Sequence, residues 1–271
     1  MERLQGKVAF LTGAGSGIAK ATAIAFAKEG ARVALIEINK ELGQKVEKEV
    51  RDVGGEAIFV ETDVTQDESV ARAIEATVSR FGALDVLFNC AGGSVLEDVP
   101  VHEMDLEVWK RTIALNLLHP FLCCRHGIPH MMQAGRGSII NFSSHVGLMG
   151  SIRPAYAAAK GGIVSFTKTL AAQYAQHGIR ANAIAPGSVR SERSIKRYEN
   201  KEWLHADKPT PEAAARIATQ KLYPFSWGEP GHIAALAVFL ASDESHMLTG
   251  TTIAADGGRS SYLKVYVPEQ S

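Results

Sequence analysis

Short apolar runs of strand length alternate with longer amphipathic segments over almost the entire chain, and few folds accept that pattern. Residues 8–11, 33–36, 57–60, 86–88, 138–142, 180–184 and 251–254 are the apolar runs. Continuous apolar strands are expected where a parallel sheet is covered on both faces. Residues 18–29, 41–53, 68–81, 109–132, 157–176 and 231–241 carry the helical period between them. This alternation predicts an α/β fold, a Rossmann-type doubly wound parallel sheet of about seven strands with helices on both faces and right-handed crossovers. No linker or repeat interrupts it, so residues 1–271 read as one domain.

One stretch breaks the rhythm. Residues 188–227 carry no strand pattern and are rich in Arg, Lys, Glu, Trp and Tyr. A long excursion of this kind in a compact domain reads as a substrate lid. Its helix-like part is 211–221, with Thr210 as N-cap and Pro211 at the first helical position.

Charge and cysteine usage exclude other classes. The 29 basic and 29 acidic residues cancel, whereas a general nucleic-acid or membrane-surface binder needs a basic excess. Cys90, Cys123 and Cys124 have no metal spacing and imply no disulfide framework, which fits a reducing, cytoplasmic setting. Cys123 and Cys124 read as small core residues. No His, Cys or carboxylate cluster suggests a metal. The apolar runs are too short or interrupted to span a bilayer, and residues 1–7 lead into a strand without the features of a signal peptide.

The first strand runs into Thr12-Gly13-Ala14-Gly15-Ser16-Gly17-Ile18-Ala19, which opens the first helix. Glycines at 13, 15 and 17 permit a tight turn and close backbone approach to a pyrophosphate. The helix N-terminus supplies unpaired N–H groups and a positive dipole end. Glu37 lies 24 residues past Gly13, at the end of the second strand. A carboxylate there can bind both adenosine ribose hydroxyls and repels a 2′-phosphate, which favours NAD over NADP. Lys40 nearby would soften that discrimination.

Tyr156 and Lys160 are four residues apart, which puts both on one helix face about a turn apart. An ammonium there favours the phenolate and is expected to draw the phenol down from its ordinary ~10 toward neutrality. Such a Tyr can exchange the proton that alcohol/ketone interconversion requires.

With these motifs in one order, residues 7–258 resemble the short-chain dehydrogenase/reductase family. Thr12, Gly13, Gly17 and Ile18 resemble its cofactor motif, in which Gly15 and Ser16 also fall. Asp63-Val64 resembles its adenine-contacting pair, and Asn89-Cys90-Ala91-Gly92 its Asn-Asn-Ala-Gly. Asn116, Ser144, Tyr156 and Lys160 match its catalytic tetrad, and Pro186-Gly187 and Asp256-Gly257-Gly258 two further landmarks. Ser144 precedes the small turn His145-Val146-Gly147 as the catalytic Ser usually does, while Ser143 has the commoner spacing to Tyr156. Ser144 is favoured, and Ser143 is expected to shape the strand end.

The resemblance implies that Tyr156 moves the substrate proton, Ser144 orients the substrate oxygen, Lys160 holds the phenolate charge and the nicotinamide ribose, and Asn116 holds a water linking Lys160 to solvent. It implies cofactor contacts from Val189 and Ser191 as well as Pro186 and Gly187, and assembly as a homotetramer or homodimer through residues 109–132 and 157–176. Ala19, Arg190, Ser226 and Gly231-His232 depart from the family's pattern and put the usual ion pairs behind the lid in doubt.

Ser94, His145, Arg153, Arg190 and Trp203 are candidate substrate contacts; Gly93, Val95 and Trp227 lie in similar places. The lid cations Arg190, Arg193, Lys196, Arg197 and Lys201 suit an anionic substrate, but Glu192, Glu199 and Glu202 alternate with them as on a solvated mixed-charge face. The expected function is hydride transfer between NAD(H) and a secondary alcohol or ketone. The alternatives are an NADPH-dependent reductase of a 3-oxoacyl thioester and a non-catalytic nucleotide-binding regulator.

Overall fold

A computed structural model describes residues 2–199, 225 and 227–261, with side chains as far as Lys196 in the first stretch. Strands β1 (Val8–Thr12), β2 (Arg32–Glu37), β3 (Glu56–Glu61), β4 (Val86–Asn89), β5 (Gly137–Phe142), β6 (Ile179–Pro186) and β9 (Thr252–Ala255) form one sheet in the order β3-β2-β1-β4-β5-β6-β9. Every neighbouring pair is parallel. Helices α1 (Gly17–Lys28), α2 (Lys40–Asp52), α3 (Asp67–Phe81), α5 (His119–Ala134), α7 (Pro154–Tyr174) and α9 (Pro230–Ala241) flank it.

Alternation along the buried strands divides the core into two layers. Ala9 and Leu11 pack with Ala23 and Phe26 of α1 and Ile233 and Ala237 of α9. Val8 and Phe10 pack with Val70 and Ile74 of α3 and with Leu122, Cys123 and Cys124 of α5. Both faces are therefore covered, which is why the strands read as unbroken apolar runs. Helix ends follow local chemistry: the Asn39 side chain accepts the Leu42 N–H to start α2, and Gly82 ends α3 at φ 76°.

The structure departs from the expected elements in two places. The helix expected at 109–132 is α4 (Leu106–Ile113), a π turn (Ala114–Leu118) and then α5. A single π turn inside an α-helix is a frequent mark of a functional site, and Asn116 lies in it, fully buried. The lid was expected to hold no strand, yet Ser188–Val189 (β7) pairs in parallel with Trp227–Gly228 (β8). Two-residue strands carry too little text to register as a pattern. Between them runs α8 (Glu192–Glu199). The helix expected at 211–221, with Trp203, Lys201, Glu202 and Ser226, lies outside the described residues. No helix among the described residues is long and apolar enough to cross a membrane.

Candidate active site

Chain order reverses between β1 and β4, so the carboxyl ends of these strands open a crevice. Most of the expected site residues follow strand ends: Gly13 to Ile18 after β1, Glu37 on β2, Asp63 and Val64 after β3, Asn89 to Gly92 at β4, Ser144 after β5 and Pro186-Gly187 at β6.

The cradle after β1 is built for close approach. Gly13 sits at φ 70°, and a Cβ on it would lie 3.0 Å from the Ala91 Cα. A Cβ on Gly15 would strike the Glu37 side chain at 2.9 Å. The Glu37 carboxylate accepts the N–H groups of Gly15, Ile38 and Asn39, each at 3.0 Å. Ser16 caps α1 without a side-chain hydrogen bond. Instead the Glu192 carboxylate, from α8, accepts the Gly17 N–H at 3.3 Å. An anion thus already stands at this helix end, as its dipole and open N–H groups favour.

Four side chains converge at the ends of β4 and β5. Ser144 stands near enough to the Tyr156 phenol to favour its ionised form. Lys160 Nζ donates to the Phe142 carbonyl at 2.8 Å and lies 5.6 Å from the Tyr156 ring centre. Asn116 brackets Gly93, accepting its N–H at 2.9 Å and donating to its carbonyl at 3.2 Å, with a second donation to Thr112. A Cβ on Gly92 (φ 155°) would lie 2.6 Å from Asn116 Oδ1 and 3.4 Å from Lys160 Nζ, so the turn passes this close only as glycine. Ser143 donates to the Lys160 carbonyl at 2.8 Å, which ties β5 to α7 and leaves Ser144 to face the phenol.

The electrostatics correct one expectation. Burial, not the ammonium, is the leading influence on Tyr156 and raises its pKa; the Ser144 hydroxyl and the Arg193 guanidinium oppose it, and Cys90 adds to it. Lys160 itself is lowered to about 8 by burial. Helical spacing puts the two side chains on one face, but the dielectric around them decides which protonation state is favoured.

Comparison with known proteins agrees with the geometry. The family model described as enoyl-(acyl carrier protein) reductase matches residues 13–260. An uncharacterized oxidoreductase of Bacillus subtilis is 40% identical over 97% of this chain and 94% of its own. The chain belongs to the short-chain dehydrogenase/reductase family. A cis-4-hydroxycyclohexanecarboxylate dehydrogenase of Sinomonas cyclohexanicum is 37% identical over 93% of this chain and 96% of its own. The crystal structure of levodione reductase superposes with a TM-score of 0.86 at 30% identity, covering 96% of this chain and all of that one. The protein is thus an oxidoreductase of the short-chain dehydrogenase/reductase type, a family that binds a nicotinamide cofactor.

Other residues named from the family's motifs take varied places. Asn89 is buried and donates to Asn141 Oδ1 at 2.9 Å, linking two strand ends inside the sheet. Val64 is a core residue, while Asp63 turns the chain by accepting the Thr65 N–H and hydroxyl. Ser191 reaches the cradle: its Cβ lies 3.1 Å from where a Cβ on Gly17 would stand. His145 faces the Pro186 carbonyl at 3.3 Å, and Arg153 donates to the Val95 carbonyl. Arg190 pairs with exposed Glu229 at 3.5 Å at the foot of the lid, so an ion pair stands there despite the departures in sequence. Gly231-His232 forms part of a capping box with Glu229.

Two contributors were not singled out from the sequence, and a third was named only among the alternating charges of 190–202. Asp98 accepts the N–H groups of Ala155 and Tyr156 at 3.1 and 2.9 Å, capping α7 from a distant loop and fixing where Tyr156 begins its turn. His119 is fully buried; it bonds the Leu115 carbonyl through Nδ1 and Thr12 Oγ1 through Nε2, and burial lowers it to about 3, so it stays neutral. Thr12 Oγ1 then accepts the N–H groups of Cys90 and Ala91, setting the turn that borders the cradle. The third is the Glu192-Arg193 pair on α8. Only the run of alternating charges hinted at it.

Proposed function

We propose that this enzyme transfers a hydride between NAD(H) and a secondary alcohol or its ketone. The observation that carries the reading is the Lys160 ammonium held at the end of β5, 5.6 Å from the Tyr156 ring centre, beside the glycine cradle. The Ser144 and Tyr156 hydroxyls at that strand end present a donor and a proton acceptor to one substrate oxygen. When bound, the nicotinamide supplies or accepts the hydride. Gly13 to Ile18 hold the pyrophosphate, Glu37 the adenosine ribose, Asp63 and Val64 the adenine side, and Ala91, Gly92, Pro186, Gly187, Val189 and Ser191 the nicotinamide half. The cradle fits this cargo because Glu192 already puts a carboxylate on the open end of α1.

In the oxidation direction Ser144 orients the substrate hydroxyl and Tyr156 takes its proton. Lys160 keeps positive charge near the phenol and holds the ribose. Asn116 was expected to hold a water for Lys160; its amide atoms are engaged with Gly93 and Thr112, so its first role here is to fix the Gly92-Gly93 turn. That the printed name of one relative describes oxidation of a ring alcohol supports the secondary-alcohol class. Exposed Trp109, Leu118 and Phe121 lie on the α4–α5 segment, which supports assembly through that face.

A titration with NADH followed by a coupled assay on a panel of secondary alcohols and ketones tests this reading; saturable binding with no turnover across the panel favours a regulator instead. Glu37→Ala should reduce the preference for NAD over NADP by about 10- to 100-fold, because a like charge facing a 2′-phosphate costs several kcal/mol. A wild-type enzyme that prefers NADPH would overturn the role of Glu37 and favour the thioester-reductase alternative.

Glu192 occupies the Gly17 N–H at the helix end where a pyrophosphate would bind. Glu192→Gln is therefore expected to tighten NADH binding about two- to fivefold at low salt, less at high salt, as a helix-end charge interaction would. Fluorescence titration at two salt concentrations checks it; unchanged affinity at both would show that Glu192 does not compete.

A further inference from the structure

The π turn (Ala114–Leu118) and the residue after it carry two side chains that reach the same loop, and only Asn116 belongs to the tetrad. Asn116 and His119 are both fully buried. Asn116 holds one end of the 90–93 turn through the N–H and the carbonyl of Gly93. The other end is held through Thr12, also fully buried. Thr12 Oγ1 accepts the N–H groups of Cys90 and Ala91 at 3.0 and 3.1 Å and stands 2.9 Å from His119 Nε2. Those donors use both lone pairs of the hydroxyl, so its proton must point elsewhere. The acceptors in reach are the Phe88 carbonyl at 3.4 Å and His119 Nε2.

The imidazole decides where that proton goes. His119 Nδ1 faces the Leu115 carbonyl at 3.1 Å, and a carbonyl only accepts, so Nδ1 carries the ring hydrogen. Burial, helped by the charge of Lys160, keeps the ring neutral. Nε2 is then a bare acceptor, and the nearer of the two for the Thr12 proton. Thr12 is followed by Gly13, where a Cβ would lie 3.0 Å from the Ala91 Cα. The turn and the cradle are therefore in contact, and a shift of the turn changes the width of the cradle.

We propose that His119 is a positioning residue for the cofactor: through the Thr12 hydroxyl it holds the Cys90–Ala91 end of the turn against the cradle, while Asn116 holds the Gly93 end. The claim rests on the reading of residues 13–18, 91 and 92 as cofactor contacts, and it adds the device that sets their separation. His119 itself touches no reacting atom. In the alternative, structural role, the ring only fills space between α5 and β1.

The test uses the full chain and NADH, read by reduced-nicotinamide fluorescence. His119→Leu keeps the bulk and loses the acceptor, whereas His119→Gln places an amide oxygen near the position of Nε2. NADH should bind His119→Leu about threefold to tenfold more weakly than wild type, as the loss of one buried hydrogen bond permits, and His119→Gln within about twofold of wild type. Thr12→Val should weaken binding similarly, and adding His119→Leu to it should bring no further loss, since residues acting as one unit are not additive. A long-range proton–nitrogen NMR spectrum, with His119 assigned by the signal missing in His119→Gln, should show the ring hydrogen on Nδ1 and a bare Nε2. A ring that only fills space would cost stability in both variants without moving NADH affinity. Unchanged affinity in His119→Leu, equal losses in the Leu and Gln variants, full additivity with Thr12→Val, or a hydrogen on Nε2 would overturn the proposal while leaving the hydride-transfer reading in place. Should His119→Leu fail to fold, wild-type affinity in Thr12→Val or a hydrogen on Nε2 would still overturn it. No saturable NADH binding in the wild type would remove the cofactor reading, and the proposal with it.

Discussion

Tyr156→Phe is expected to lower kcat about 10³-fold or more while leaving NADH binding within about twofold, because positioned proton transfer contributes roughly 10²–10⁴ in rate. The ring packs the same way without its hydroxyl, so the change isolates the proton. Ser143 continues to tie β5 to α7 through the Lys160 carbonyl. Burial raises the Tyr156 pKa in the protein alone. A bound oxidised nicotinamide brings positive charge to the site, and an opposite charge within a few ångströms favours the phenolate. The rate of alcohol oxidation should therefore rise with pH through a group whose pKa is lower in the NAD⁺ complex than in the free enzyme. A pH profile of kcat beside one of kcat/KM reads both values. Near-wild-type turnover in Tyr156→Phe would remove Tyr156 from the chemistry.

The second large effect is expected at Lys160, with opposite signs for activity and stability. Only 3% of Lys160 is exposed, and burial lowers its pKa to about 8. The unfolded chain then binds the proton more tightly than the folded one. Below pH ~8 both states are protonated and the folded protein carries the full penalty, roughly 2–4 kcal/mol by linkage. From pH ~8 to ~10.5 the folded Lys is neutral and the unfolded one is charged, so stability rises with pH in that window by up to about 1.4 kcal/mol per pH unit. Lys160→Met removes the charge but leaves the Phe142 carbonyl without its donor, which returns about 1 kcal/mol. The variant should be more stable than wild type at pH 7 by about 1–3 kcal/mol, lose the rise above pH 8, and lose at least about 10²-fold in kcat. Denaturant titrations at pH 7 and 10 check the first two. A Lys160→Met protein less stable than wild type at pH 7 would show that Lys160 stabilises the free fold rather than straining it.

The fold was legible because its causes are local and repeated. The inner strands of the main sheet are buried on two faces, so each had to be written as an apolar run, and each helix between them had to show an apolar face. The cradle was legible for a related reason. Glycine is required at Gly13 by its backbone angle and at Gly15 by the Glu37 side chain, so the need for closeness shows in the residue types themselves. Tyr156 and Lys160 were legible as a pair because one helical turn fixes their separation.

What the sequence could not convey was set by distant parts of the chain. The sign of the Tyr156 shift came from burial, a sum over all neighbours rather than a property of the Lys four residues away. The choice between Ser143 and Ser144 came from which hydroxyl the backbone of α7 captures. The β7–β8 pairing joins residues almost 40 positions apart through two residues on each side, too few for any periodicity. Arg193 was one of five similar cations, and only the path of α8 brings it to the Gly92–Ser94 turn.

The sequence by itself therefore determined the layered architecture, the glycine turn after the first strand and the placing of Tyr156 and Lys160 on one helix face, because periodicity, glycine freedom and helix spacing act over a few residues. Tertiary structure alone decided the electrostatic surroundings of that pair, the capture of Ser143 by the Lys160 carbonyl, and the cation that meets the Gly92–Ser94 turn. Those depend on desolvation and on contacts between segments that meet only when the chain is folded.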